Sequence, residues 1–389
     1  MHRKKILIIT SRFPFPLEKG DKLRIYHQIK YLSKYHNIHL VSLNTESKIP
    51  ELSINELNKY CQKIHIINID RFTQAVNIIK SFIKKEPLQV GFFYSERAHE
   101  KIKHIIKKTK PTWCYAQLIR TAKYVQNENN NIIDYMDAFS KGIERRIDKF
   151  PLIIQPLIKR EYEITKTYEN NIFNKFKHHT IITEHDRTYI KHSNHKKIRI
   201  IPNGVDTNYF KPQSSQLKKF DIIFVGNMSY PPNIEAAIYI CQKVLPIIQK
   251  THPTCKVLIG GVNPNEKVKK LANQNIKISG WVKDIRKIYA SGKIFLAPMF
   301  IGTGLQNKLL EAMAMGIPCV TTQLANKALL ANPSQIIIAN NEFDFANACM
   351  SILKNEHQAC KLKTEALKFI KEKYEWNSVN NNLNSLFKL

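Results

Sequence analysis

Two charged residues stand out in the run Leu296 to Thr321, LAPMFIGTGLQNKLLEAMAMGIPCVT, because Lys308 and Glu311 are its only ionic side chains. Their i, i+3 spacing on a segment of strong helix formers, Leu305 to Met315, puts them on one face near the start of a helix. Free N–H groups and positive dipole character at that end suit a phosphate. An ammonium there neutralises a phosphate oxygen, and a carboxylate one turn on accepts hydrogen bonds from a sugar diol. Gly302 and Gly304 bracket the turn before the helix, and Gly316 and Pro318 end it. A buried strand–helix–strand crossover whose two charges reach the surface would show the same pattern.

Further candidates lie earlier in the chain. DYMDAFS (134–140) follows a predicted strand and sets Asp134 and Asp137 at its end, Asp137 to orient hydroxyl groups or to cap a helix. Arg24, on the first predicted helix, could bind an anionic phosphate or sit at the surface. Gln117, just after a strand, is a weaker candidate. Glu161, Glu163 and Glu169 fall among lysines on a long predicted helix and read as solvated charges. The densest histidine cluster, His178-His179, Glu184-His185 and His192/His195, matches no zinc spacing. No GxxxxGK[ST] motif is present, and GTG alone is no dinucleotide fingerprint. No metal site is expected.

These residues need a scaffold. Strands are predicted at Lys5–Thr10, Ile38–Leu43, Lys63–Ile69, Thr112–Ala116, Ile132–Tyr135, Thr180–Thr183 and Ile198–Ile201. Helices fall between them at Lys22–Tyr35, Thr73–Lys84, Ala98–Lys108 and Ser140–Phe173. After IPNGVDTNYFKP (201–212), with its Asn203-Gly204 turn, the alternation restarts. Strands follow at Phe220–Val225, Lys256–Ile259, Ile276–Ser279, Ile294–Ala297, Cys319–Thr322 and Gln335–Ile338. Helices follow at Asn233–Gln249, Asn265–Asn273, Asp284–Ala290 and Leu305–Met315, with a helical end. The pattern predicts an α/β protein of two doubly wound, Rossmann-like domains, 1–202 and 203–370, with a terminal helix at 371–389 that packs back on the first. Such sheets bind ligands outside their C-terminal edges, here in a cleft between the domains.

At 389 residues, 43% hydrophobic and 24% charged, the chain is long enough for both domains. No apolar run is long enough to span a membrane. Seven scattered cysteines without a CxxC pair suggest a reducing cytoplasm. The net charge is +30, from 61 basic and 31 acidic residues. Residues 1–200 hold 38 basic and 19 acidic side chains, and the remainder 23 and 12. A nucleic-acid footprint, an anionic membrane surface and a lysine-rich genome are the competing causes. Nucleic-acid signatures are missing, and aromatic residues are not interleaved in the basic runs. QAVNIIKSFIKK (74–85) and KFPLIIQPLIKR (149–160) mix apolar with basic residues. They would suit either an anionic lipid surface or ordinary packing on the sheet.

In order and spacing, IRIIPNGVDTNYFKP, IIFVGNMSYPPNIEAA, ISGWVKDIRKIYASGKIFLAPM and GTGLQNKLLEAMAMGIPCVTT resemble the GT-B-fold, family-4-type (group 1) glycosyltransferases. The opening KILIITSRFPFPLEKGDKLRIYHQIKYLSKYHNIHLVSLN is similar to their first strand, glycine loop and helix. The nearest branch is the bacterial sugar transferases of exopolysaccharide and surface-glycan pathways. The resemblance is weakest at about 45–110 and beyond 340. It implies transfer, with retention and without a catalytic metal or cofactor, from a UDP- or GDP-linked sugar to a glycan or lipid-linked acceptor. A cytoplasmic enzyme follows, peripheral at the inner face of the plasma membrane if the basic surface is used. By resemblance, Lys308 contacts the donor diphosphate and Glu311 the ribose hydroxyls. Gly302 and Gly304 admit the donor to the backbone, Gly20 does the same in the first domain, and Gly226 and Asn227 face the diphosphate. Catalytic roles fall to Lys308 and Asp137. Two positions depart from the pattern: Thr303 stands where a first glutamate is usual, and Asn227 where a basic residue often follows the glycine. Lys283, Arg286 and Lys287 could compensate or could form a solvated face. An epimerase or phosphorylase on the same fold is the alternative, and a basic nucleic-acid-binding protein a further one.

Overall fold

In the computed structural model, described for residues 3–45, 48–213, 217–301 and 304–388, thirteen strands form two all-parallel sheets. The chain divides into two units, Met1–Pro202 with Asn380–Leu389, and Asn203–Val379.

The first sheet contains β1 (Lys5–Thr10), β2 (Asn37–Asn44), β3 (Lys63–Asn68), β4 (Trp113–Gln117), β5 (Asn131–Asp134), β6 (His178–Ile181) and β7 (Arg199–Ile200). Its order is β3-β2-β1-β4-β5-β6-β7. The second contains β8 (Phe220–Val225), β9 (Val257–Gly260), β10 (Ile276–Ile278), β11 (Gly292–Ala297), β12 (Cys319–Thr321) and β13 (Ile337–Ile338), in the order β10-β9-β8-β11-β12-β13. Near-continuous apolar runs such as Ile6 to Ile9 and Ile294 to Ala297 are fully buried because helices cover both faces of a parallel sheet. In each sheet the strand order reverses at one point, between β1 and β4 and between β8 and β11. There the connections leave in opposite directions and open a crevice at the C-terminal edge.

Three departures from the sequence reading have backbone causes. The helix expected over 140–173 is broken into Phe139–Glu144, a short 3-10 turn at Ile147–Lys149 and Gln155–Phe173. Pro151 supplies no N–H to continue the 3-10 turn, while Pro156 sits in the opening turn of the last segment, where its missing donor costs nothing. The helix read as 233–249 starts at Pro231 and passes through a π turn at Ile240–Val244 just before Pro246. The wider turn accommodates a residue that cannot donate. Short helices at Glu51–Asn58, Leu88–Phe93 and Gln323–Leu329 have too few residues to show a period.

The last residues belong to the first unit and complete its core. Phe387 is fully buried against Trp113 and Tyr115, the His36 ring pairs through Nε2 with Asn384 Oδ1 at 2.7 Å, and Asn380 Nδ2 donates to the His27 carbonyl at 3.2 Å. The histidine cluster is a packing device. His179 and His192 stack on Phe173 with ring centroids 3.9 and 4.0 Å away.

Candidate active site

In the second unit, the loops after β8 and β11 meet at the strand-order reversal. After β8 the backbone is crowded enough to require glycine. Gly226 N donates to Gly260 O at 3.0 Å, and a Cβ on Gly226 would lie 2.6 Å from Asn233 Nδ2. Gly261, at φ +131°, could carry no side chain, since its Cβ would stand 1.8 Å from Gly226 O. The tight passage presses the loop onto the helix that starts at Pro231 and fixes Asn233, which is buried.

Asn233 is the residue that sequence reasoning missed. Its Nδ2 donates to the Asn227 carbonyl at 2.9 Å, and its Oδ1 accepts from Lys308 Nζ at 2.5 Å. The available signal was its place in the first turn of the helix following β8. Asn227 Oδ1 accepts from Ser229 N and Oγ at 3.0 and 2.8 Å. That oxygen therefore shapes the turn where the family pattern often has a basic side chain. Replacing Asn233 with leucine, which removes the amide from a crowded, buried position, is expected to lower the melting temperature as well as to raise the donor KM at least about tenfold. Loss of a charge-assisted hydrogen bond, about 1.5–3 kcal/mol, sets that magnitude, and steady-state kinetics with a calorimetric melt check it.

Lys308 lies in the first turn of the helix Asn307–Ala314, whose N-cap residue Gln306 makes no side-chain cap. Its ammonium lies 3.8 Å from Met299 Sδ and 5.3 Å from the Phe224 ring centre. Glu311, one turn on, accepts through Oε2 from the buried Tyr289 hydroxyl at 2.7 Å. Lys308 and Glu311 form no ion pair with each other; each is held by a neutral partner. Both are partly exposed yet packed around by protein. Burial pushes the Lys308 ammonium down to about 8, with Glu311 opposing. Burial likewise raises the Glu311 carboxyl to about 7 against the pull of Tyr289 and Lys308. A cation and a carboxylate that protein dipoles leave undercompensated are suited to a phosphate and a hydroxyl-bearing sugar.

The glycines divide. Gly302 and Thr303 lie outside the described residues. Gly304 is exposed, and a Cβ there would meet nothing within 4 Å, so packing does not demand glycine. Arg286 is bound to its neighbour Asp284, with Nη2 2.7 Å from Oδ2, and stacks on Tyr209 at 4.1 Å.

The first unit corrects several expectations. Arg24 is a buried structural cation, not a phosphate ligand. Its Nε donates to Asp134 Oδ2 at 2.6 Å, Nη2 to Oδ1 at 3.1 Å and Nη1 to the Pro202 carbonyl at 3.1 Å, and both side chains of the pair are fully buried. Thr180 Oγ1 adds a bond to Asp134 at 2.8 Å. Gln117 is also buried, its Nε2 donating to the Asp21 carbonyl at 2.6 Å, which ties β4 to the first helix. Gly20 is the first residue of the helix Gly20–Leu32, and a Cβ on it would make an ordinary 3.6 Å contact with Met136. Glu169 is buried, not solvated, and receives the Ser140 hydroxyl at 2.5 Å. Glu161 Oε1 accepts from Leu88 N at 2.8 Å, while Glu163 stays largely exposed beside Lys166.

Asp137 caps no helix: the following one, Phe139–Glu144, starts after Ala138 and has no side-chain cap. It is exposed at a turn in which Met136 takes φ +65°. Crowding by protein, then Asp186, raises its carboxyl above the ordinary range, with Arg120 opposing. Arg12 and Arg120, not singled out in the sequence, flank Asp21 at 2.8 and 3.9 Å, beside the ends of β1 and β4.

With this geometry in place, residues 219–355 match the family described as glycosyl transferases group 1. The second unit carries a group 1 glycosyl transferase domain. The chain is 25% identical over 415 residues to an uncharacterized 44.6 kDa protein in the cps region of Klebsiella pneumoniae, covering 99% of both. Over 180 residues, 40% of this chain and 45% of the relative, it is 29% identical to the UDP-Gal:alpha-D-GlcNAc-diphosphoundecaprenol alpha-1,3-galactosyltransferase of Escherichia coli. Anabaena HepE, solved with UDP and glucose, superposes with a TM-score of 0.68 at 13% identity over 100% of both chains. The two parallel, helix-covered sheets are those of the GT-B fold, and the chain is a glycosyltransferase.

Proposed function

We propose that this glycosyltransferase moves a sugar from a nucleotide-sugar donor to a glycan or lipid-linked acceptor in bacterial surface-polysaccharide synthesis, with retention at the anomeric carbon and without a catalytic metal. The observation that carries the reading is the Lys308–Asn233–Glu311 arrangement at the β8/β11 reversal. Departure of a nucleoside diphosphate concentrates negative charge on its β-phosphate. Lys308 and the uncapped N–H groups of its helix supply oriented positive charge for that step, and Glu311 Oε1 accepts from the donor's sugar hydroxyls. UDP is the first nucleotide to test, because UDP-sugar chemistry belongs to the Escherichia coli relative and UDP to the HepE complex. Asp137, whose carboxyl is exposed, would orient an acceptor or sugar hydroxyl.

The test is a thermal-shift series with nucleoside diphosphates, followed by transfer assays. A nucleotide at a hundred times its dissociation constant adds about 2.7 kcal/mol to stability. One nucleotide is expected to raise the melting temperature well above the others. Its sugar conjugate should release the diphosphate only when an acceptor is supplied, undiminished by EDTA, and give a product with the donor's anomeric configuration. Release without acceptor, or an epimerised sugar nucleotide, defeats the reading.

A further inference from the structure

The helix Arg71–Ile83 in the first unit is amphipathic the wrong way round. Its buried residues are Gln74 and Ser81, whereas Phe72, Ile79, Phe82 and Ile83 are 79%, 61%, 43% and 72% exposed. Two inward polar residues bond backbone carbonyls and a third packs against a glycine. Gln74 Nε2 donates to the Ile69 carbonyl at 2.9 Å, Asn77 Nδ2 donates to the Tyr94 carbonyl, and Ser81 packs against Gly91, where a Cβ would come within 1.9 Å of its hydroxyl. The helix is therefore seated correctly, with its apolar stripe facing solvent.

A second apolar segment adjoins it. Leu152 and Ile153 are 83% and 89% exposed at the turn before the helix Gln155–Phe173. Arg160 of that helix donates to the Phe82 carbonyl at 2.7 Å and lies over the Phe82 ring at 4.0 Å, joining both segments into one surface. The surface is basic. Residues 71–85 hold four basic and no acidic side chains, and residues 145–160 hold five basic and one acidic. Exposed apolar side chains on two segments linked in this way mark an interaction site, and the charge around them selects the partner.

We infer that this face of the first unit docks on an anionic lipid bilayer, with Phe72, Ile79, Ile83, Leu152 and Ile153 entering the interfacial region and Lys80, Lys84, Lys85, Lys149 and Lys159 meeting lipid phosphates. Large aliphatic and aromatic side chains on one face, ringed by lysines, are the composition that binds in the plane of a membrane surface. A second copy of the chain is the poorer occupant, because the same basic face would meet itself at a twofold interface.

The test uses the full chain and vesicles, sedimented together. The wild type is expected to pellet with phosphatidylglycerol-containing vesicles and to be released progressively by salt, and to bind phosphatidylcholine vesicles far more weakly. Phe72→Ser/Ile83→Ser/Leu152→Ser/Ile153→Ser should lower the partition coefficient at least about a hundredfold, with unchanged melting temperature and UDP binding. Lys84→Gln/Lys85→Gln/Lys159→Gln should remove most of the salt dependence. A wild type left in the supernatant at low salt, or a serine variant that pellets like wild type, overturns the inference. So does a dimer in sedimentation velocity that the serine variant converts to monomer. Vesicle binding is read without any sugar transfer, so its failure and that of the proposed reaction are separable.

Discussion

Replacing Lys308 with alanine is expected to lower kcat/KM for transfer by roughly 30- to 1,000-fold, equivalent to about 2–4 kcal/mol at the transition state, while the protein still folds. The ammonium is held by one neutral acceptor, Asn233 Oδ1, and packed beside Met299 and Phe224, so little of the second unit's core depends on it. The pH response follows from the same surroundings. With its ammonium lowered to about 8, Lys308 is charged below that pH and neutral above it. Donor affinity should therefore fall as pH rises through about 8, up to tenfold per pH unit, and Lys308→Arg should abolish that inflection. Stability moves in the opposite direction. Between about 8 and the ordinary lysine value the unfolded chain binds the extra proton, so this group makes the folded state more stable as pH rises. Initial-rate kinetics and melting curves over pH 6–10 measure both, and a pH-independent donor KM would remove Lys308 from the diphosphate site.

Arg24→Ala should act on stability. Removing one partner of a fully buried ion pair leaves Asp134 charged and uncompensated, a cost of about 3–5 kcal/mol, or a fall of roughly 6–20 °C in melting temperature for a unit of this size. Asp134→Ala should behave alike, because it strands the guanidinium. The double variant Arg24→Met/Asp134→Leu should recover much of the loss, since no buried charge remains. Thermal melts check the direction, and donor KM at temperatures where the variants stay folded should match wild type. A variant with unchanged melting temperature and a raised KM would return Arg24 to the phosphate-binding role expected from sequence.

The contrast between these two cations shows what primary structure can carry. Lys308 and Arg24 look equivalent in the string: each follows a strand and a glycine and sits in an early helical turn. Lys308 has no acid at the correct distance and is left with an amide. Arg24 meets Asp134, 110 positions away, because β1, β4 and β5 are neighbours in the sheet. No local pattern records that pairing. Glu169 fails for the same reason: its lysine-rich helix reads as solvated, yet one turn of it faces Ser140.

Strand and helix alternation, the glycine-rich turns and the Lys308/Glu311 spacing are local properties, written in hydrophobic period and backbone freedom, and from them the two doubly wound sheets and the family resemblance were legible. Strand order, the anchoring of Lys308 by Asn233, and the burial of Arg24, Gln117 and Glu169 depend on contacts between distant segments, which only packing decides. The outward apolar face of residues 71–83 lies between the two cases. Its amphipathic period is visible in the string, but which side faces the protein was settled by where Gln74, Asn77 and Ser81 found partners.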